Sequence, residues 1–149
     1  MGNTKKVSDE LSTAGQVTPE QLQQAAQEGF KSVLNLRSPD ETGYLSDEEQ
    51  QVEAAGLQYA GVPVQISEPD HKQVEEAIQE IENLPKPVLV HCGAGARATA
   101  IALIATATQK GLTHEQITQK AQELGLNLDQ PHLKQFLLDK YTGVIAEQS

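Results

Sequence analysis

The stretch Val88-Leu-Val-His-Cys-Gly-Ala-Gly-Ala-Arg97 decides how this chain is read. Pro87–His91 is a continuous apolar run, the kind of strand that is buried on both faces of a parallel sheet. Cys92 begins a glycine-containing loop. Arg97–Lys110 is rich in Ala, Ile and Leu nearly all round, which predicts a central buried helix. The chain holds one cysteine and two arginines, and two of these three residues fall in this segment. Strand, loop and helix in that order place the loop at the carboxyl edge of a sheet, where open α/β folds bind ligands. Gly93 and Gly95 permit positive φ, so the N–H groups of Gly93, Ala94, Gly95 and Ala96 can line an anion-binding loop. The helix N-terminus adds roughly half a positive charge. Together with Arg97 these groups favour a reactive thiolate at Cys92 and a grip on an oxyanion. His91 either hydrogen-bonds the loop and tunes the thiol or is a satisfied buried histidine, and the sequence leaves both open.

Outward from this segment, strands and helices alternate, which indicates an α/β layer fold. Leu11–Gly15 reads as a short edge strand. Thr18-Pro-Glu-Gln opens a helix that Gly29 ends. Ser32–Arg37 and Leu57–Val64 read as strands, and Ser46–Ala55 and Pro69–Asn83 as helices. Thr113–Leu124 and Pro131–Tyr141 follow as two more helices, with Thr113 and Asp129 as caps. Residues 1–10 are expected to be loose, and 11–149 to form one domain.

Composition narrows the function. At 149 residues the chain can bury a sizeable core, and with aromatics at 3% that core is aliphatic. A net charge of −10 argues against a nucleic-acid partner. A small anionic substrate is still compatible, since salt screens a distant field within about 8–10 Å. One cysteine excludes an intramolecular disulfide, and the four histidines lack ligand spacing, so no metal or cofactor is expected. No apolar run reaches membrane-spanning length, and no signal-peptide pattern opens the chain, so the expectation is a cytoplasmic protein without a membrane partner.

The Cys92–Arg97 segment resembles the signature loop of the cysteine-based phosphatase and rhodanese superfamilies. The likeness extends to Ala14-Gly15-Gln16-Val17-Thr18-Pro19, to Gly29–Arg37 with Glu41, and to Gly56-Leu57-Gln58-Tyr59 leading to Val62-Pro63-Val64. Over about residues 10–110 the chain is similar to the bacterial beta-lactamase-hydrolase-like phosphatase domain. That resemblance implies a protein tyrosine phosphatase-like α/β fold, with a mostly parallel sheet of four to five strands and helices on both faces. It implies Cys92 and Arg97 as catalytic residues. It also sets Arg37 near the site, either as an accessory residue or in a structural ion pair with Glu41.

Two departures bear on the chemistry. Tyrosine phosphatases place five residues between cysteine and arginine, whereas here there are four, the length found in rhodanese sulfurtransferases. After Val64, where the resemblance leads one to expect an acid, the chain has Gln65 and Ile66, with Glu68 and Asp70 as displaced candidates. The residue after Arg97 is Ala98 rather than Ser or Thr, and Thr99 falls one position late. These features favour a sulfurtransferase in which Cys92 carries a persulfide between a donor such as thiosulfate and an external thiol or cyanide acceptor. A phosphatase of phosphoesters working through Cys92 is the alternative. A non-catalytic anion- or partner-binding module is the third reading.

Overall fold

The structure is a computed structural model that describes residues 4–142. In chain order the elements are β1 (Lys5–Lys6), β2 (Leu11–Ala14), α1 (Pro19–Gln27), β3 (Ser32–Asn35), α2 (Glu48–Ala54), β4 (Gln58–Gly61), α3 (His71–Asn83), β5 (Val88–His91), α4 (Ala96–Lys110), α5 (His114–Glu123) and α6 (Pro131–Leu137). A final π-helical turn covers Leu138–Thr142. The strands form one sheet in the order β1-β2-β5-β3-β4, parallel except for β1.

The apolar run after Pro87 is β5, flanked by β2 and β3, and all four of its residues are buried. Alternation along the strands divides the core. Leu89 and Val33 pack with Leu22 and Ala25 of α1 and Val52 of α2 on one face. Val88, Val90 and Leu34 pack with Ala77 and Ile81 of α3 and Ala98, Ile101 and Ala102 of α4 on the other. Burying a Val or Leu side chain contributes roughly 1.5–3 kcal/mol, so these two layers hold the sheet between helices. A third cluster joins α4 to α5 and α6 through Leu103, Ala107, Ile117 and Leu133. The central helix is α4, buried continuously from Arg97 to Ala107, as its composition predicts. The α/β fold, with a five-stranded mostly parallel sheet and helices on both faces, matches the expectation. Among the described residues no helix is long and apolar enough to cross a membrane.

Three local expectations are corrected. Residues 1–10 are not uniformly loose, because Lys5 and Lys6 pair antiparallel with Thr13 and Ser12. For the same reason β2 is not an edge strand but lies between β1 and β5. The cap of α6 is Gln130, whose Oε1 accepts from Leu133 N at 2.9 Å, rather than Asp129. Capping of α1 by Thr18 and of α5 by Thr113 is as predicted, each with a reciprocal glutamine at N3. Beyond β4, Val62 N and Val64 N still donate to Asn35 O and Leu36 O, both at 2.9 Å. That pairing carries the chain past the carboxyl edge of the sheet and leaves the Val64 carbonyl facing Arg97.

Candidate active site

The strand-to-helix turn after β5 is pinned to the turn after β2. Cys92 N donates to Ala14 O at 3.3 Å, and Gly93 O accepts from Gln16 N at 3.0 Å. Only glycine fits at position 15, since a Cβ there would lie 2.9 Å from Gly93 O. Cys92 is almost fully buried, and its Sγ accepts two backbone N–H bonds, from Gly95 at 3.1 Å and Ala98 at 3.4 Å. Both donors come from the turn into α4, so backbone N–H groups point at the sulfur. Gly95 takes φ 106° to turn the chain into α4. Gly93, in contrast to the expectation, is not at positive φ. A Cβ there would sit in ordinary contact with Arg37 Nε and Arg97 Nη2, each at 3.8 Å, so neither space nor φ demands a glycine.

Arg97 lies buried at the start of α4 and is held by β3 and β4 extensions. Its Nη1 donates to Glu41 Oε2 at 2.8 Å and to Val64 O at 2.7 Å, and its Nη2 donates to Glu41 Oε1 at 2.9 Å. A guanidinium has five N–H donors in a fixed fork. Three are committed to these partners, Nη1 also lies 3.4 Å from Leu36 O, and Cys92 is a further hydrogen-bonding neighbour of the guanidinium. Burial works against the charge on Arg97. The hydrogen bonds of Glu41 and the nearby Cys92 outweigh it, so its pKa is raised.

Glu41 is the hub of both arginines. Hydrogen bonding to Arg97 is the main cause that holds its carboxyl down, from an ordinary 4.5 to about 2, against the opposing effect of burial. The sign follows from linkage. A depressed native pKa contributes stability that is complete above about 4.5 and is lost as pH falls toward about 2. With Glu41 only 11% exposed, the contribution is roughly 3 kcal/mol. Urea titrations of the wild type across that window are expected to show this loss, and Glu41→Gln is expected to flatten it. Equal acid sensitivity in both proteins would count against the assignment.

Arg37, the accessory candidate, lies beside the loop with its guanidinium engaged by protein acceptors. It donates to Glu41 Oε1 at 3.2 Å, to Gln16 Oε1 at 2.8 Å, to Gly43 O at 3.1 Å and to Thr42 O. Four of its five donors are thus used, three on the segment 41–43 and one on Gln16. Asp70 is placed as the cap of α3, accepting from Lys72 N and Gln73 N. Its carboxylate is exposed and takes no hydrogen bond from Cys92, Arg97 or the loop, and Glu68 is exposed beside it. Thr99 does not reach Cys92. It donates to Gly95 O at 2.9 Å and contacts Thr13 Oγ1 at 2.9 Å, tying the loop to β2. A cleft of about 470 Å³ opens beside Ala94, Gly95 and Ala96, bordered by Lys5, Thr13 and Asn127.

His91 is buried and partnered on both sides. Its Nε2 lies 2.6 Å from Glu48 Oε2, and its Nδ1 lies 3.3 Å from Cys92 O. Glu48 is 1% exposed, and its Oε1 accepts from Gln16 Nε2 at 2.7 Å. The two readings of His91 are therefore joined: it is a satisfied buried histidine that also supports the loop. Sequence reasoning singled out neither Glu48 nor the side chain of Gln16. Glu48 sits in a helix start where acidic residues are commonplace.

The comparisons bear on this arrangement. A family model described as the phosphatase-like domain of beta-lactamase hydrolase-like protein matches residues 3–109. The beta-lactamase hydrolase-like protein of Agrobacterium fabrum is 27% identical over 130 residues, covering 83% of this chain and 29% of that protein. The chain thus spans under a third of that relative's length. The crystal structure of a candidate phosphatase (DUF442) from Shewanella putrefaciens superposes with a TM-score of 0.76 at 25% identity, covering 94% of this chain and 89% of that one. Tk-PTP in its active form superposes with a TM-score of 0.73 at 19% identity, covering 89% and 92%, and attests the shared fold. These likenesses support the phosphatase alternative, and the sulfurtransferase preference finds no support among them. Since the matched residues run from the first strand through the Cys92–Arg97 loop and most of α4, the chain belongs to the family of the phosphatase-like domain of beta-lactamase hydrolase-like proteins.

Proposed function

We propose that this chain is a cysteine-dependent phosphatase of phosphate monoesters, with Cys92 as nucleophile and Arg97 as the oxyanion-binding residue. The observation that carries this reading is the pairing of two half-sites. Cys92 Sγ receives the N–H groups of Gly95 and Ala98. Arg97, anchored by Glu41, Val64 and Leu36, keeps Nε–H and one Nη2–H off these acceptors, with Cys92 beside the guanidinium. A planar fork that is clamped on one edge and open on the other suits the equatorial oxygens of a phosphoryl group, where catalysis is mostly positioning and charge stabilisation. Membership in a phosphatase-like family supports the same reading. The loop is one residue shorter than in tyrosine phosphatases, and the Ala98 N–H beyond the arginine serves the sulfur rather than a phosphoryl oxygen.

In the first step Cys92 Sγ attacks phosphorus. The P–O bond to the leaving group breaks with its electron pair on oxygen, which takes a proton from water. A second water then hydrolyses the phosphocysteine, releasing inorganic phosphate and restoring the thiol. Asp70 is committed to its cap, so substrates whose leaving groups depart without a protein acid are favoured, aryl phosphates among them. The test is turnover of p-nitrophenyl phosphate, with acid-quench mass spectrometry of the Cys92 peptide. A phosphoryl adduct is expected. An added sulfur after thiosulfate treatment, without ester turnover, would instead establish the sulfurtransferase. Phosphate binding with neither activity would establish a binding module.

A further inference from the structure

Behind the loop runs a polar network with two charged halves, and one neutral side chain touches both. Gln16 follows β2. Its backbone N–H donates to Gly93 O at 3.0 Å. Its Oε1 accepts from Arg37 Nη1 at 2.8 Å, and its Nε2 donates to Glu48 Oε1 at 2.7 Å and to Val17 O at 3.1 Å. On one side Arg37 shares Glu41 with Arg97. On the other, Glu48 holds His91, whose second ring nitrogen lies against the Cys92 carbonyl. The contacts therefore run from Arg97 through Glu41, Arg37, Gln16, Glu48 and His91 to Cys92, and the loop itself closes the circuit.

We propose that Gln16 is a positioning residue for the Cys92–Arg97 loop, acting through Arg37 and Glu48 and through the Gly93 carbonyl. An amide is the group this place requires. It accepts from a guanidinium with one atom and donates to a carboxylate with the other, which neither a carboxylate nor an apolar side chain does. A glutamate at 16 keeps the Arg37 contact but faces Glu48 with a like charge. Two carboxylates so placed ionise together only at a cost, and as pH falls they share one proton, which restores the missing donor. The other charged or titratable groups facing this pair are Arg37 after β3, Glu41 in the following loop, His91 of β5 and Tyr59 of β4. Tyr59 is pushed up to about 12, chiefly by burial and partly by the charge of Glu48.

The kinetic half of the test rests on the phosphatase reading, and the binding half does not. Full-length Gln16→Leu and Gln16→Glu are assayed for p-nitrophenyl phosphate turnover and, by calorimetry, for binding of inorganic phosphate, from about pH 5 to about pH 8. Gln16→Leu is expected to lower kcat and weaken phosphate about tenfold or more at every pH. Gln16→Glu is expected to show a similar deficit near pH 8 and to recover toward wild type as pH falls. A merely structural role would not produce that recovery. A Gln16→Glu profile parallel to wild type overturns the proposal, as does a Gln16→Leu protein with wild-type kcat and phosphate affinity. Should Gln16→Leu fail to fold, the Gln16→Glu profile decides alone. If the wild type binds phosphate without hydrolysing the ester, the phosphatase reading fails while the phosphate affinities still decide the role of Gln16.

Discussion

Replacing Cys92 with serine is expected to lower p-nitrophenyl phosphate turnover by roughly 10⁴-fold or more, while inorganic phosphate still binds. The reason lies in what activates position 92. The N–H groups of Gly95 and Ala98 point at Sγ, and the thiolate is the nucleophilic form of a cysteine. A serine hydroxyl ionises far less readily, so it needs a general base within hydrogen-bond reach. The nearest imidazole, His91, turns its Nε2 to Glu48 and its Nδ1 to the Cys92 backbone, so neither nitrogen is available to the side chain at 92. Under the proposed function Arg97 and the loop N–H groups hold the phosphate, and the substitution leaves them untouched, so phosphate affinity should change little. Steady-state kinetics and calorimetry on the same protein separate the two effects. Retained turnover in Cys92→Ser would remove Cys92 as nucleophile. Loss of both turnover and phosphate binding would mean that the sulfur holds the loop open rather than performing the chemistry.

What could be read from the sequence here was local, and what could not was paired at long range. The order of β5, the loop and α4 follows from one continuous stretch, so Cys92 and Arg97 were visible at once. Helix caps at Thr18 and Thr113 are also decided within four residues. By contrast, Gln16 meets Glu48 across 32 positions, and Glu48 meets His91 across 43. No pattern along the chain marks either contact. Glu41 shows the boundary between the two cases. Its ion pair with Arg37 spans four residues and is one of the two readings the sequence leaves open, whereas its stronger bidentate pair with Arg97 spans 56 and leaves no mark along the chain. Loop length is a related case. Counting residues between Cys92 and Arg97 gives the size of the loop but not which N–H groups face the sulfur, and one of the two comes from Ala98, beyond the arginine.

That shared carboxylate makes Arg97→Lys the second large prediction. Lysine keeps the positive charge but replaces a rigid fork with a single ammonium. Arg97 serves both oxygens of Glu41 and the carbonyls of Val64 and Leu36, and under the proposed function it also holds a phosphoryl oxygen. An ammonium has three donors around one point and cannot span Glu41 and the substrate together. kcat/KM for p-nitrophenyl phosphate is expected to fall roughly 10²–10³-fold, the scale for losing one preorganised oxyanion donor. The same substitution acts on stability. Hydrogen bonding to Arg97 is the largest cause of the low Glu41 pKa, so weakening it lets that pKa climb from about 2 back toward 4.5. The acid limb of the stability curve should then begin at higher pH than in the wild type, although Arg37 still holds one oxygen of Glu41. Both shifts together identify Arg97 as the residue that joins the substrate site to Glu41. A fall in kcat/KM with an unchanged acid limb would confine Arg97 to the substrate. An altered acid limb with wild-type kinetics would make it purely structural and would leave the loop amides alone to hold the oxyanion.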